Sequence, residues 1–193
     1  MAPLTIGLTG GIAAGKSEAL KAFARLGAAT LSSDAVVHEL LESEPLRGRL
    51  VERWGPEVVR DGKVDRARIG EIVFADPEQL TWLEAQIHPL VGARTAEWLR
   101  SLPADTEVAV VEVPLLFEVG RDEVFDTTVA VVTSDEVRRE RAAARGHALV
   151  DEREARQLSQ LEKAERADHV VANDGSVEDL ERALSALLAK LRE

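Results

Sequence analysis

Short apolar runs alternate with amphipathic stretches along most of this chain. Runs at residues 5–8, 28–31, 108–113, 128–132 and 169–172 are nearly continuous in apolar character. That pattern predicts strands buried on both faces of a parallel sheet. Helical periodicity predicts helices over 16–26, 34–41 and 177–191. In the last of these Leu180, Leu184, Leu187, Leu188 and Leu191 share one face, and Ser176 after Gly175 stands as its N-cap. Strand alternating with helix implies an α/β fold of three layers: a five-stranded parallel sheet with helices on both sides.

Composition narrows the picture. With 193 residues, 45% of them apolar, the chain has material for one domain with a real core, and no cysteine staples are present or needed. The absence of cysteine also removes thiol catalysis and thiolate metal sites. A net charge of −11 argues against nucleic acid as a partner, because a phosphate backbone would be repelled. No apolar stretch approaches the roughly 20 residues that span a bilayer. No charged leader precedes the first apolar run, so the expectation is a soluble cytoplasmic protein with no membrane partner. Oligomeric state is left open.

The first predicted strand runs into Gly10-Gly11-Ile12-Ala13-Ala14-Gly15-Lys16-Ser17, and a helix follows. This is the phosphate-loop pattern G-x-x-x-x-G-K-[ST] in the strand–loop–helix setting its mechanism needs. Backbone N–H groups and the positive helix end cradle a polyphosphate, the lysine reaches its terminal phosphates, and the serine hydroxyl ligates magnesium. ATP and Mg²⁺ are the expected ligands. The nucleotide set is Gly11, Ile12, Ala13, Ala14, Gly15, Lys16 and Ser17, with Glu18 in the first helical turn.

Taken with this loop, the architecture is a P-loop NTPase fold. The core is expected over 1–34, 104–133 and 168–193, a helical acceptor-binding insertion over 35–103 and a helical lid over 134–167. The insertion carries no good strand. Within it Gly55-Pro56 ends a helix, Asp61-Gly62 marks a turn, Asp65 caps a helix and Pro89 breaks or kinks a longer one. Asp34 follows the second strand and can cap the next helix, accept a proton from an acceptor hydroxyl or hold a magnesium water. Glu112, as a support for magnesium, and Glu118, as a sugar contact, lie around the third long strand, and each also reads as an ordinary loop acid. Arg138, Arg141 and Arg145 share a helix face. That stripe either neutralises a transferring phosphoryl or pairs with its acidic neighbours. His88 reads as an acceptor contact or a structural histidine. Trp54, Trp82 and Trp98 read as insertion core.

Several separated segments resemble dephospho-coenzyme A kinase. They are Ile6-Gly7-Leu8-Thr9-Gly10-Gly11-Ile12 with Gly15-Lys16-Ser17, Asp34 with His38-Glu39-Leu40, and Asp61-Gly62 with Asp65-Arg66. His88-Pro89, Val113-Pro114-Leu115-Leu116-Phe117-Glu118, Arg141, Arg145, Gln160, Ala167-Asp168 and Asn173 follow in the same order. The resemblance implies transfer of the ATP γ-phosphoryl to the ribose 3′-hydroxyl of dephospho-CoA. It implies Lys16, Asp34, Arg141 and Thr9 as catalytic groups, with Asp34 the base, and Arg145 and Asn173 on the nucleotide. It places His88, Pro114, Leu115, Leu116 and Glu118 toward the acceptor. Three positions depart from the family pattern: Ala13 where glycine is common, Glu18 where threonine is common, and Glu112 where aspartate is common.

Overall fold

A computed structural model describes residues 2–144 and 157–192. The chain divides into two compact units, one formed by Met1–Ser32 with Leu102–Glu193 and one by Ser33–Ser101.

The first unit is built on five parallel strands. These are β1 (Leu4–Gly10), β2 (Ala29–Ser32), β5 (Val108–Glu112), β6 (Thr127–Val132) and β7 (His169–Ala172), in the spatial order β2-β5-β1-β6-β7. The chain leaves β1 toward one side of the sheet and later crosses to the other. Ligands of open α/β sheets bind where the order reverses, outside the carboxyl ends of the strands. Here that point is the end of β1.

Period-two alternation decides the layers. Ile6, Leu8, Val108, Val110, Val129, Val131 and Val171 form one core with Ala19, Ala22 and Phe23 of α1 (Lys16–Arg25). Leu180, Leu184, Leu187 and Leu188 of the C-terminal helix (Val177–Leu191) complete it, and Ser176 caps that helix in a reciprocal pair with Asp179. On the opposite face Gly7 makes room: a Cβ there would stand 2.7 Å from Phe125 and 3.1 Å from Leu116.

Two carboxylates clamp the amino ends of the strands. Asp126 accepts from the N–H and hydroxyl of Thr5 at 2.8 and 2.7 Å. Asp168 does the same for Thr128, at 2.8 Å each. The hydroxyl and backbone N–H of Thr128 hold the Asp168 carboxyl below the usual carboxylate range. A carboxylate with a depressed pKa stabilises the fold above its unfolded pKa, about 3.9, and that contribution disappears as pH falls through the folded value. Asp168→Asn is therefore expected to unfold at lower denaturant than the wild type at pH 7, with the gap closing below about pH 4. Parallel denaturant melts across that range measure it; a gap independent of pH would remove the carboxylate from the account.

In the second unit α2 (Ser33–Glu42), α3 (Glu44–Trp54), α4 (Arg66–Ala75) and α5 (Pro77–Ser101) pack around Leu46, Leu50, Val58, Ile69, Val73 and Ile87. Gly55 ends α3 and Asp65 caps α4, as the sequence predicts. One expectation needs correction and another is narrowed. The insertion is not all helical, because β3 (Val59–Arg60) and β4 (Lys63–Val64) form an antiparallel hairpin. Its turn residues Asp61 and Gly62 have φ of 52° and 74°, the paired left-handed conformation of a tight hairpin turn. Two-residue strands carry no legible alternation, so only the turn showed in the sequence. Of the two outcomes open at Pro89, a break or a kink, the break does not occur, since α5 continues through it. Proline removes one helical hydrogen bond, and here the apolar face packed on both sides of it keeps the helix whole.

Candidate active site

At the end of β1 the backbone does what few residues allow. Gly10 has φ 155°, and a Cβ on it would stand 2.4 Å from the Val131 carbonyl oxygen. Gly15, the N-cap of α1, has φ 94°. Ala13 has φ 61°, so this alanine does occupy the left-handed region that glycine adopts without cost. Lys16 Nζ folds back onto the loop and donates to the carbonyls of Gly10 and Gly11 at 3.1 and 2.9 Å. With those carbonyls held by the ammonium, the loop leads straight into the amino end of α1, where the helix dipole favours an anion. Ser17 is exposed in that turn. Glu18 leans along the helix toward Lys21 and Arg25, at 3.7 and 3.3 Å, so its charge is directed sideways and partly neutralised.

Groups arriving from the next two strands buttress the loop. Asn173, buried after β7, donates from Nδ2 to the Ala14 carbonyl at 2.8 Å. Its own carbonyl accepts from Arg141 at 3.0 Å and from the Thr133 hydroxyl at 3.1 Å. Arg141 comes from α6 (Asp135–Ala144), and its guanidinium lies 3.5 Å from where a Gly15 Cβ would be. Asp174 accepts from the Ser134 N–H at 2.6 Å and the Thr133 hydroxyl at 2.8 Å, tying down the start of α6. Those bonds hold its carboxyl below the usual range. The Gln160 side chain pairs with both backbone groups of Thr133, at 2.7 and 3.2 Å, and packs against Gly11. Arg145 lies outside the described residues.

The third wall is the segment after β5. Glu112 is buried at the strand's end, in register with Leu8 and Ser32. The Thr9 hydroxyl, fully buried, donates to the Pro114 carbonyl at 3.2 Å. Lys163 of α7 (Gln160–Arg166) is also fully buried; it donates to the same carbonyl and lies 3.0 Å from Glu118 Oε1. Glu118 Oε1 accepts the Leu158 N–H at 3.0 Å as well. Leu115 stays partly exposed, whereas Leu116, expected toward the acceptor, is wholly buried beneath Gly7 and serves as packing.

In the second unit Asp34 is exposed in the first turn of α2. One turn on, His38 Nε2 lies 2.5 Å from an Arg66 guanidinium nitrogen. His88 is half-buried on α5. A cavity of about 510 Å³ in this unit is lined in part by Arg53, Trp54, Asp76 and Gln79. Gln79 accepts from Arg53 and Trp54 and donates to Asp76, so these groups are spent on joining α3 to α5. Trp54 and Trp82 meet edge-on at 5.1 Å and belong to the unit's core.

The structure brings Thr9, Lys16, Arg141 and Asn173 together at one sheet edge, and with them Lys163, which the sequence reading did not single out. The one available signal, a lysine three residues after Gln160 on a charged helix, reads as a solvated position.

No helix among the described residues is long and apolar enough to cross a membrane. In fold the chain is similar to shikimate kinase from Acinetobacter baumannii, with TM-score 0.53 at 14% identity, a likeness of architecture alone. A solved protein of Thermus thermophilus superposes with TM-score 0.82 at 37% identity, covering 99% of both chains. Dephospho-CoA kinase from Campylobacter jejuni superposes with TM-score 0.71 at 27% identity, covering 97% of this chain and 96% of that one. In sequence the chain is 40% identical to the dephospho-CoA kinase of Streptomyces avermitilis over 194 residues, 97% of this chain and 94% of the relative. The dephospho-CoA kinase family model matches residues 4–179. A phosphate loop at the switch point of a five-stranded parallel sheet, with relatives aligned from end to end, places this chain in the dephospho-CoA kinase family.

Proposed function

We propose that the protein transfers the γ-phosphoryl group of ATP to the ribose 3′-hydroxyl of dephospho-CoA, giving coenzyme A and ADP in the cytoplasm, with no nucleic-acid or membrane partner. The observation that carries this reading is the loop itself, a lysine-held glycine turn at the carboxyl end of the central strand in a chain of this family. In the reaction the acceptor oxygen bonds to the γ-phosphorus as the bond to the β-phosphate oxygen breaks, and the hydroxyl proton leaves to a base. Such a transition state is loose, so positioning and charge neutralisation dominate. The loop amides and Lys16 hold the polyphosphate, and Arg141 adds positive charge beside Gly15. Asn173 serves the nucleotide by holding the loop.

The oxygen donors at hand, an exposed Ser17 hydroxyl and an acid at the end of β5, are the hard ligands magnesium prefers. When bound, the ion would neutralise phosphate charge there. Asp34 takes the role of base, and His88, Pro114 and Leu115 that of acceptor contacts.

Incubation with Mg-ATP, with and without dephospho-CoA, tests the reading. CoA and ADP should appear in equal amounts and only with the acceptor; ADP release indifferent to acceptor would overturn it. Asp34→Asn should lower kcat by about 10²-fold or more, with a smaller change in the acceptor KM. An effect on KM alone would make Asp34 a binding group.

A further inference from the structure

Helix α7 is turned against its own hydropathy. Leu161 is 69% exposed while Lys163 is fully buried. Burying an ammonium is costly unless it is paired and hydrogen-bonded, whereas burying the leucine would be favourable. The helix is fixed in this orientation from its first residue, where Ser159 and Glu162 form a reciprocal cap. Gln160 then fastens to Thr133 and packs on Gly11.

The ammonium's partners explain the choice. Lys163 donates to the Pro114 carbonyl and pairs with Glu118. The Pro114 carbonyl also accepts the Thr9 hydroxyl, and Thr9 leads directly into the Gly10 and Gly11 carbonyls that Lys16 grips. One carbonyl oxygen therefore joins α7, the segment after β5 and the strand that carries the phosphate loop. Glu118 Oε1 takes both the ammonium and the Leu158 N–H, so the same carboxylate also fastens the residue just before α7.

We propose that Lys163 is a positioning residue for phosphoryl transfer. Through the Pro114 carbonyl and Glu118 it holds the segment after β5 and the Thr9 hydroxyl in the arrangement the reaction needs. The inference rests on the kinase reading above, and it concerns kcat more than ATP affinity, because the phosphate-holding groups are Lys16 and the loop amides.

The informative variant is the double substitution Lys163→Met with Glu118→Gln. It removes both charges, so no unpaired ion stays buried, and the Pro114 carbonyl keeps Thr9 alone. Relative to wild type assayed beside it, the double variant should melt cooperatively at a similar temperature. Its kcat should fall at least about 10-fold while the ATP KM changes less than about 3-fold. A folded double variant with wild-type kcat overturns the proposal and leaves Lys163 a latch. Should that variant fail to fold, the neutral hydrogen-bonding pair Lys163→Gln with Glu118→Gln takes its place: lowered kcat at unchanged ATP KM supports the proposal, and wild-type kcat overturns it. Absence of CoA formation by the wild type overturns the kinase reading and this inference with it, an outcome distinct from either variant result.

Discussion

Lys16→Ala should lower kcat/KM for ATP by about 10³-fold while the protein stays folded. The ammonium bridges the Gly10 and Gly11 carbonyls in a partly buried position, and in the proposed mechanism it meets the charge of the transferring phosphoryl. Losing it leaves two carbonyls to water, a cost of about 2 kcal/mol at most. That lowers the melting temperature by only a few degrees in a chain of this size. A 10³-fold loss in kcat/KM is worth about 4 kcal/mol and falls on holding the polyphosphate and the transition state, not on the fold. The core contacts of α1, through Ala19, Ala22 and Phe23, are untouched. Turnover and a thermal melt on the same preparation separate the two effects, and an unchanged kcat would remove the loop from the mechanism.

Gly15→Ala should be more damaging to structure. The residue has φ 94°, and a Cβ there would stand 2.1 Å from Asn173 Nδ2. Asn173 cannot step aside cheaply. Its N–H donates to the Val132 carbonyl at 2.8 Å, its carbonyl receives Arg141 and Thr133, and its amide holds Ala14. Left-handed strain of about 1–2 kcal/mol adds to at least one lost buried hydrogen bond of about 1–3 kcal/mol. The sum lowers the melting temperature by about 10 °C, and ATP affinity falls because the loop and Arg141 shift together. Gly48→Ala, on a helix with nothing within 4 Å, is the matched control and should be neutral or stabilising. Equal melting temperatures for the two variants would refute the proposed crowding at Gly15.

Most of the architecture was legible because it follows from local physics. Strands buried on both faces must be largely apolar, and the central stretches of β1, β5 and β6 are. A phosphate loop needs glycine at its left-handed cap and lysine at the first helical position, and both are written in consecutive residues. Asp65 and Ser176 announced their helices through hydrogen bonds spanning three residues. The departure at position 13 was visible as a residue type, but whether it mattered depended on a dihedral angle. The hairpin of residues 59–64 escaped because its strands are shorter than the period that would reveal them.

The sequence by itself determined the class of fold, the phosphate loop and the order of strand and helix, since each depends on neighbours within a few residues. Only the tertiary structure decided which face of α7 is inside, that Asn173 supports Ala14 rather than facing outward, and that Leu116 packs under Gly7. The partners in these cases lie far apart in the chain. A buried lysine is worth its desolvation only where a carbonyl and a carboxylate from another segment converge on it. No pattern along α7 could say that Pro114 and Glu118 would be there.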